Sequence, residues 1–64
     1  MLSKQDYQNY LNQIVGLERK MSSTYKNCSE NIEDENIKKT CNGLSIAEER
    51  HALMVQELID LLTK

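Results

Sequence analysis

Glu48 and His51 are the two residues of this chain whose types and spacing best suit chemistry. Residues three apart on an α-helix lie on one face, about 4.5 Å apart along the axis. A carboxylate and an imidazole placed in this way can bind one transition-metal ion inside a helical bundle. A single Glu-x-x-His pair also arises by chance in many helices, so the interpretation depends on the residues around it.

The segment around this pair has the hydrophobic spacing of a helix that packs in a bundle. From about residue 35 to residue 62, apolar residues recur in alternating steps of four and three. The series is Ile37, Cys41, Leu44, Glu48, His51, Val55, Leu58 and Leu62, and only the candidate metal ligands in it are polar. Further apolar residues flank the series, and so wide an apolar face indicates more than one packing neighbour.

The first half of the chain predicts another helix, from about residue 3 to residue 29. Ser3 is a candidate N-cap, with Asp6 three residues later as in a capping box. The hydrophobic series of this helix contains one charged residue, Glu18. The series is Tyr7, Leu11, Ile14, Glu18, Met21, Tyr25 and Cys28. Residues 30–34 are the predicted turn, with Asp34 capping the helix that follows.

So short a connection makes the two helices antiparallel neighbours. Since residue numbers at one level of an antiparallel pair have a nearly constant sum, Glu18 lies level with Glu48 and His51. Cys28 likewise lies level with Cys41, about 15 Å from the metal level by helix rise. That distance is too long for the thiols to bind the same ions.

The two cysteines are interpreted first as small buried hydrophobic residues in a reducing cytoplasm. The alternative is a pair of redox thiols, Cys28 and Cys41, which form a reversible disulfide or re-reduce the metal centre. Gly16 and Gly43 lie inside the predicted helices, where they either permit close helix approach or form a local bulge.

A lone hairpin would leave Glu18, Glu48 and His51 on an open side, and an unpaired buried carboxylate costs several kcal/mol. Two hairpins related by a two-fold axis would instead bring four glutamates and two histidines to one level. That set is the di-iron carboxylate arrangement of four-helix bundles. The predicted fold class is therefore all-α, an antiparallel two-helix hairpin that dimerises into a four-helix bundle. A metal-free polar layer that fixes the register is the alternative.

Glu18, Tyr25, Glu48 and His51, with the run Ile46–Ala52, resemble half of a ferritin-like protein of the rubrerythrin type. In that family a glutamate on one helix is followed seven residues later by a tyrosine, and the next helix carries Glu-x-x-His. The two-helix format is similar to that of the encapsulated ferritins, which build a di-iron centre across a dimer interface. The resemblance implies terminal ligands at Glu18 and His51, a bridging Glu48, and a hydrogen bond from Tyr25 to a ligating carboxylate.

The resemblance implies two iron ions per dimer as cofactors, with manganese or zinc as alternatives. The predicted function is oxidation of Fe(II) by oxygen or peroxide, as in a ferroxidase or a rubrerythrin-like peroxidase, with an unidentified electron donor. Unlike a rubrerythrin, this chain has no Cys-x-x-Cys pair, and Leu17 stands where encapsulated ferritins carry a second acidic residue. The alternative function is a metal-stapled or metal-free structural module, similar to small spore-coat-associated proteins.

Composition narrows the classes of partner. The 64 residues carry a net charge of −2, which gives no electrostatic reason to bind nucleic acid or anionic lipid. The sequence has no apolar run of membrane-spanning length and no apolar signal region at its start. We therefore expect a cytoplasmic homodimer, able to assemble further, without a nucleic-acid or membrane partner.

Overall fold

The computed structural model describes residues 1–63, which form two antiparallel α-helices joined by a short turn. α1 spans Lys4–Asn31 and α2 spans Glu35–Leu62, with 28 residues in each helix. The helices pack against each other in a body of 47 × 15 × 14 Å. The predicted all-helical hairpin is confirmed. α1 ends at Asn31, two residues beyond the predicted end, whereas α2 has the predicted bounds.

Local hydrogen bonds fix where both helices begin. The Ser3 hydroxyl accepts from the backbone N–H of Asp6 at 3.1 Å, and the Asp6 carboxylate accepts from the backbone N–H of Ser3 at 3.0 Å. This is the predicted capping box, which satisfies N–H groups that have no partner within the helix. Asp34 caps α2 by accepting from the backbone N–H groups of Asn36 and Ile37, at 2.9 and 3.0 Å.

The hairpin interface, which is the line of closest packing between α1 and α2, keeps every second residue of each predicted series and takes the next residue along the chain in place of the others. Its buried residues are Val15, Cys41, Ser45, Ala52 and Ile59. Tyr7, Ile14, Ile37, Leu44, His51 and Leu58 belong to the predicted series but are exposed. Short side chains such as those of Ser45 and Ala52 let the helices approach, so the bulkier residues lie beside the interface instead of within it.

These bulkier apolar residues cover one side of the hairpin, which we call the open face. In an antiparallel pair, positions one residue before the interface positions of each helix lie on the same side of the pair. The open face comprises Tyr7, Tyr10, Ile14, Leu17, Ile37, Leu44, Met54, Leu58 and Leu61, each between 40% and 60% exposed. The opposite side carries a groove lined by Arg19, Ser22, Ser23, Glu49, Ala52 and Leu53.

Neither glycine acts as the sequence suggested. A Cβ atom built at Gly16 or Gly43 meets nothing within 4 Å, so neither position is needed for close helix approach. Both glycines lie within uninterrupted α-helix, so neither forms a bulge. Within residues 1–63, no helix is long and apolar enough to cross a membrane.

Candidate metal centre

Glu18 of α1 and Glu48 and His51 of α2 come together at the middle of the hairpin. One ligand atom from each residue can be chosen so that all three lie within 4.8 Å of one another. Glu18 is residue 15 of 28 in α1 and Glu48 is residue 14 of 28 in α2. The structure therefore places the three side chains at one level, as the antiparallel register predicted, and their role as metal ligands stays a prediction.

The two helices present these groups differently. Glu18 and Glu48 are half-buried at the edge of the hairpin interface, whereas His51 is exposed on the same side as the open face. Glu48 and His51 share one side of α2 because three residues make nearly one helical turn. The candidate centre thus opens toward the apolar side of the hairpin and away from the groove on the other side.

One oxygen of the Glu18 carboxylate, Oε2, is buried and has no hydrogen-bond partner among the described residues. Burying a carboxylate oxygen without a partner is costly, because it loses its hydration and gains nothing in return. A metal ion, or a donor from a second protein chain, would remove that cost. Among the described residues, this is the one buried side-chain polar atom that lacks a hydrogen-bond partner.

The donor set fits a divalent transition metal. Carboxylate oxygens and imidazole nitrogens bind such ions at about 2.0–2.2 Å, so two donors of one ion lie at most about 4.4 Å apart. The observed spread of 4.8 Å exceeds that distance by a few tenths of an ångström. A side-chain rotation that moves one donor atom by that amount would close the gap. Mixed oxygen and nitrogen ligands suit iron, manganese and zinc.

Other residues singled out by the sequence lie around this centre. Tyr25 is half-buried and lines a shallow pocket with Leu17, Lys20, Met21 and Thr24, and its hydrogen bond to a ligand stays a prediction. Glu49 and Arg50 are exposed, as expected for residues outside the ligand set.

Cys28 and Cys41 form a disulfide bond, with their Cα atoms 6.0 Å apart. Their predicted common level is therefore confirmed. The preferred interpretation of two separate buried thiols is wrong for this structure, because the antiparallel register brings the two sulfur atoms within bonding distance. The disulfide joins the ends of the helices next to the turn.

Two residues near the centre, Ser22 and Ser45, escaped the sequence-based interpretation. The Ser22 hydroxyl donates to the Ser45 carbonyl oxygen at 3.0 Å, and the Ser45 hydroxyl donates to the Ser22 carbonyl oxygen at 3.0 Å. Hydrophobic spacing gives no weight to serine. Their one visible signal is position, since Ser22 follows Glu18 by four residues and Ser45 precedes Glu48 by three.

Comparison of the chain with protein-family models, with curated proteins and with solved structures finds no match.

Proposed function

We propose that two copies of this chain pair through their open faces into a four-helix bundle that binds two iron ions between them. Each copy contributes Glu18, Glu48 and His51. The proposal is carried by the convergence of these three residues around a carboxylate oxygen that is buried without a partner. It assigns the chain to the ferritin-like, rubrerythrin-type proteins that its motif resembles.

Charge supports a stoichiometry of two divalent ions per pair of chains. Two copies bring together four half-buried carboxylates, which carry four negative charges when ionised. Two divalent cations carry four positive charges, so the site becomes neutral, and the cost of burying like charges is removed. Two neutral imidazoles complete the ligand set without changing this balance.

The open face supports pairing with a second copy. Nine bulky apolar residues cover it, and contiguous apolar surfaces of that extent mark interaction sites. One side of the hairpin measures 47 Å by 15 Å, or about 700 Å². That area is close to the roughly 800 Å² per partner that a standard protein interface buries. The candidate ligands lie on this side, so pairing would cover the apolar residues and complete the metal site together.

The proposed reaction is oxidation of Fe(II), with iron as the substrate of the site. Two Fe(II) ions supply one electron each, and hydrogen peroxide takes two electrons and two protons to give two molecules of water. With oxygen as the oxidant, the same two electrons and two protons give hydrogen peroxide. Glu18, Glu48 and His51 of each copy would hold the ions, with Glu18 and His51 as terminal ligands and Glu48 in the bridging role that the resemblance implies.

An anaerobic titration of the apoprotein with Fe(II), followed by native mass spectrometry, tests the proposal. We expect a dimer that holds two iron ions, which is one ion per chain. Glu48→Ala and His51→Ala should each abolish stoichiometric binding, because each removes a ligand. Glu49→Ala is the matched control and should bind normally, since Glu49 lies on the other side of α2. Addition of oxygen or peroxide should then produce the absorbance of Fe(III).

Three results would contradict the proposal. Equal loss of iron in all three variants would show that affinity does not come from this side of α2. A wild-type protein that stays monomeric and metal-free would remove its basis. Tight binding with a raised melting temperature but no Fe(III) would establish the alternative, in which the metal serves folding and the chain is a structural module.

A further inference from the structure

The hydrogen-bonded serines form the closest polar contact between the helices. Besides the two hydroxyl-to-carbonyl bonds of 3.0 Å, the two hydroxyl oxygens lie 3.1 Å apart. Ser45 is only 8% exposed and is the one polar residue among the buried residues of the described chain. We call Ser22 and Ser45 the serine pair.

The serine pair requires a short distance between the helix axes. A serine hydroxyl is only two bonds from Cα, so it reaches the opposite backbone only where the helices approach closely. A larger side chain at either position would hold the helices apart, because interaxial distance follows the size of the residues at the contact. The glycines do not supply this approach, since both face open space.

The pair lies about one turn from the candidate ligands on both helices. Ser22 follows Glu18 by four residues, about 6 Å of helix rise, and Ser45 precedes Glu48 by three, about 4.5 Å. Over one turn a helix is nearly rigid, so the spacing at the serines determines the spacing of the glutamates. Within residues 1–63, one other hydrogen bond from a side chain crosses between the helices, from the Gln8 amide to the Leu62 carbonyl oxygen at the ends away from the turn.

We propose that Ser22 and Ser45 are positioning residues for the metal centre. Their reciprocal hydrogen bonds set the helix spacing and the register at which Glu18, Glu48 and His51 meet around the ions. This inference rests on the proposed function, because it assumes that these three residues bind metal. It assigns the serines a role that neither small size nor burial alone would give them.

Co(II) binding to the apoprotein tests the inference, with visible absorption as a report of ligand number and geometry. Ser22→Ala and Ser45→Ala keep the side chains small but remove the hydrogen bonds. We expect affinity for Co(II) to fall about tenfold or more, as for other residues that orient metal ligands, and the absorption bands to shift. Ser23→Ala, at an exposed neighbour, is the matched control.

The readouts separate the possible failures. A wild-type protein that binds no Co(II) would overturn the proposed function itself. Wild-type binding with unchanged affinity and bands in both alanine variants would overturn the positioning role alone. Weaker binding with unchanged bands would also overturn it, because that pattern indicates lost stability without altered ligand geometry. Circular dichroism of the apo forms identifies any variant that fails to fold. If Ser45→Ala does not fold, the test rests on Ser22→Ala, whose position is less buried.

Discussion

Ser3 and Asp34 cap the two helices through hydrogen bonds within their own first turns, whereas Ser22 and Ser45 form hydrogen bonds from one helix to the other. Ser3 and Asp34 were recognisable as caps because a cap needs only its own side chain and the next three residues. The serine pair was not recognisable, because its hydrogen bonds depend on the distance between two helices. Glu18, Glu48 and His51 were predicted to share a level, since level follows from residue numbers once the turn is located.

The capping box at Asp6 predicts a pH dependence of stability. Hydrogen bonds from the Ser3 backbone N–H and the Ser3 hydroxyl to the carboxylate hold the pKa of Asp6 below its ordinary value. Because the folded pKa lies below the unfolded value of about 3.9, the contribution is complete above that pH and is lost as pH falls through the folded pKa. Asp6→Asn should therefore show a shallower loss of unfolding free energy between about pH 5 and pH 2.

Urea unfolding at a series of pH values measures this slope. The two proteins should differ most at neutral pH and converge in acid, where the wild-type carboxylate is protonated. Parallel curves for wild type and Asp6→Asn over the whole range would contradict a role for the ionised carboxylate in the cap.

At the scale of helices, the sequence predicted two elements and their pairing, but about half of the residues it assigned to the packing line lie beside that line. Spacing by four and three identified an apolar side on each helix, yet both helices carry two adjacent apolar stripes. Hydrophobicity does not say which stripe packs inside the hairpin. Side-chain size separates the two stripes in the middle of the hairpin, where Val15, Ser45 and Ala52 are smaller than the residues that precede them, Ile14, Leu44 and His51.

The disulfide between Cys28 and Cys41 should supply much of the hairpin's stability. It closes a loop with a sequence separation of 13 residues, and a cross-link over a loop of about 15 residues stabilises by about 3 kcal/mol. We expect reduction to lower the free energy of unfolding by about that amount, measured by urea denaturation with and without reductant. The Cys28→Ser, Cys41→Ser double variant should have the same free energy of unfolding as the reduced protein, and reductant should not change it.

If both cysteines of the native protein react with a thiol reagent before any reductant is added, the disulfide is not formed in solution and this expectation is contradicted. Disulfides are typical of oxidising compartments. The cytoplasmic location expected from the sequence stays a prediction. Free thiols in protein isolated from its host would favour that location, and an intact disulfide would favour an oxidising compartment.

For the whole molecule, the arrangement of apolar surface predicts a dimer that one charge can break. Leu58 lies on the open face one heptad from His51 and is 45% exposed in the hairpin. In a pair of hairpins Leu58→Glu would bury a carboxylate without a partner, which costs several kcal/mol. We expect its dimer dissociation constant to rise at least about 100-fold, measured by sedimentation equilibrium over a concentration series.

Leu53→Glu provides the matched control. Leu53 is 61% exposed on the same helix, but it lines the groove on the opposite side of the hairpin. That variant should remain dimeric and bind iron normally. Dissociation of both variants to the same extent, or a monomeric wild type, would exclude pairing through the open face.

The candidate ligands lie at the midpoint of both helices. Their central position determines which linkers could join two copies in one polypeptide. Two hairpins can superimpose their central levels with their turns at the same end or at opposite ends. In the first case a few residues would connect Leu62 of one copy to Lys4 of the next. In the second, the linker must run the 47 Å length of the body, which takes at least about 14 extended residues. The shortest linker that still gives a two-iron protein would therefore reveal the direction of pairing.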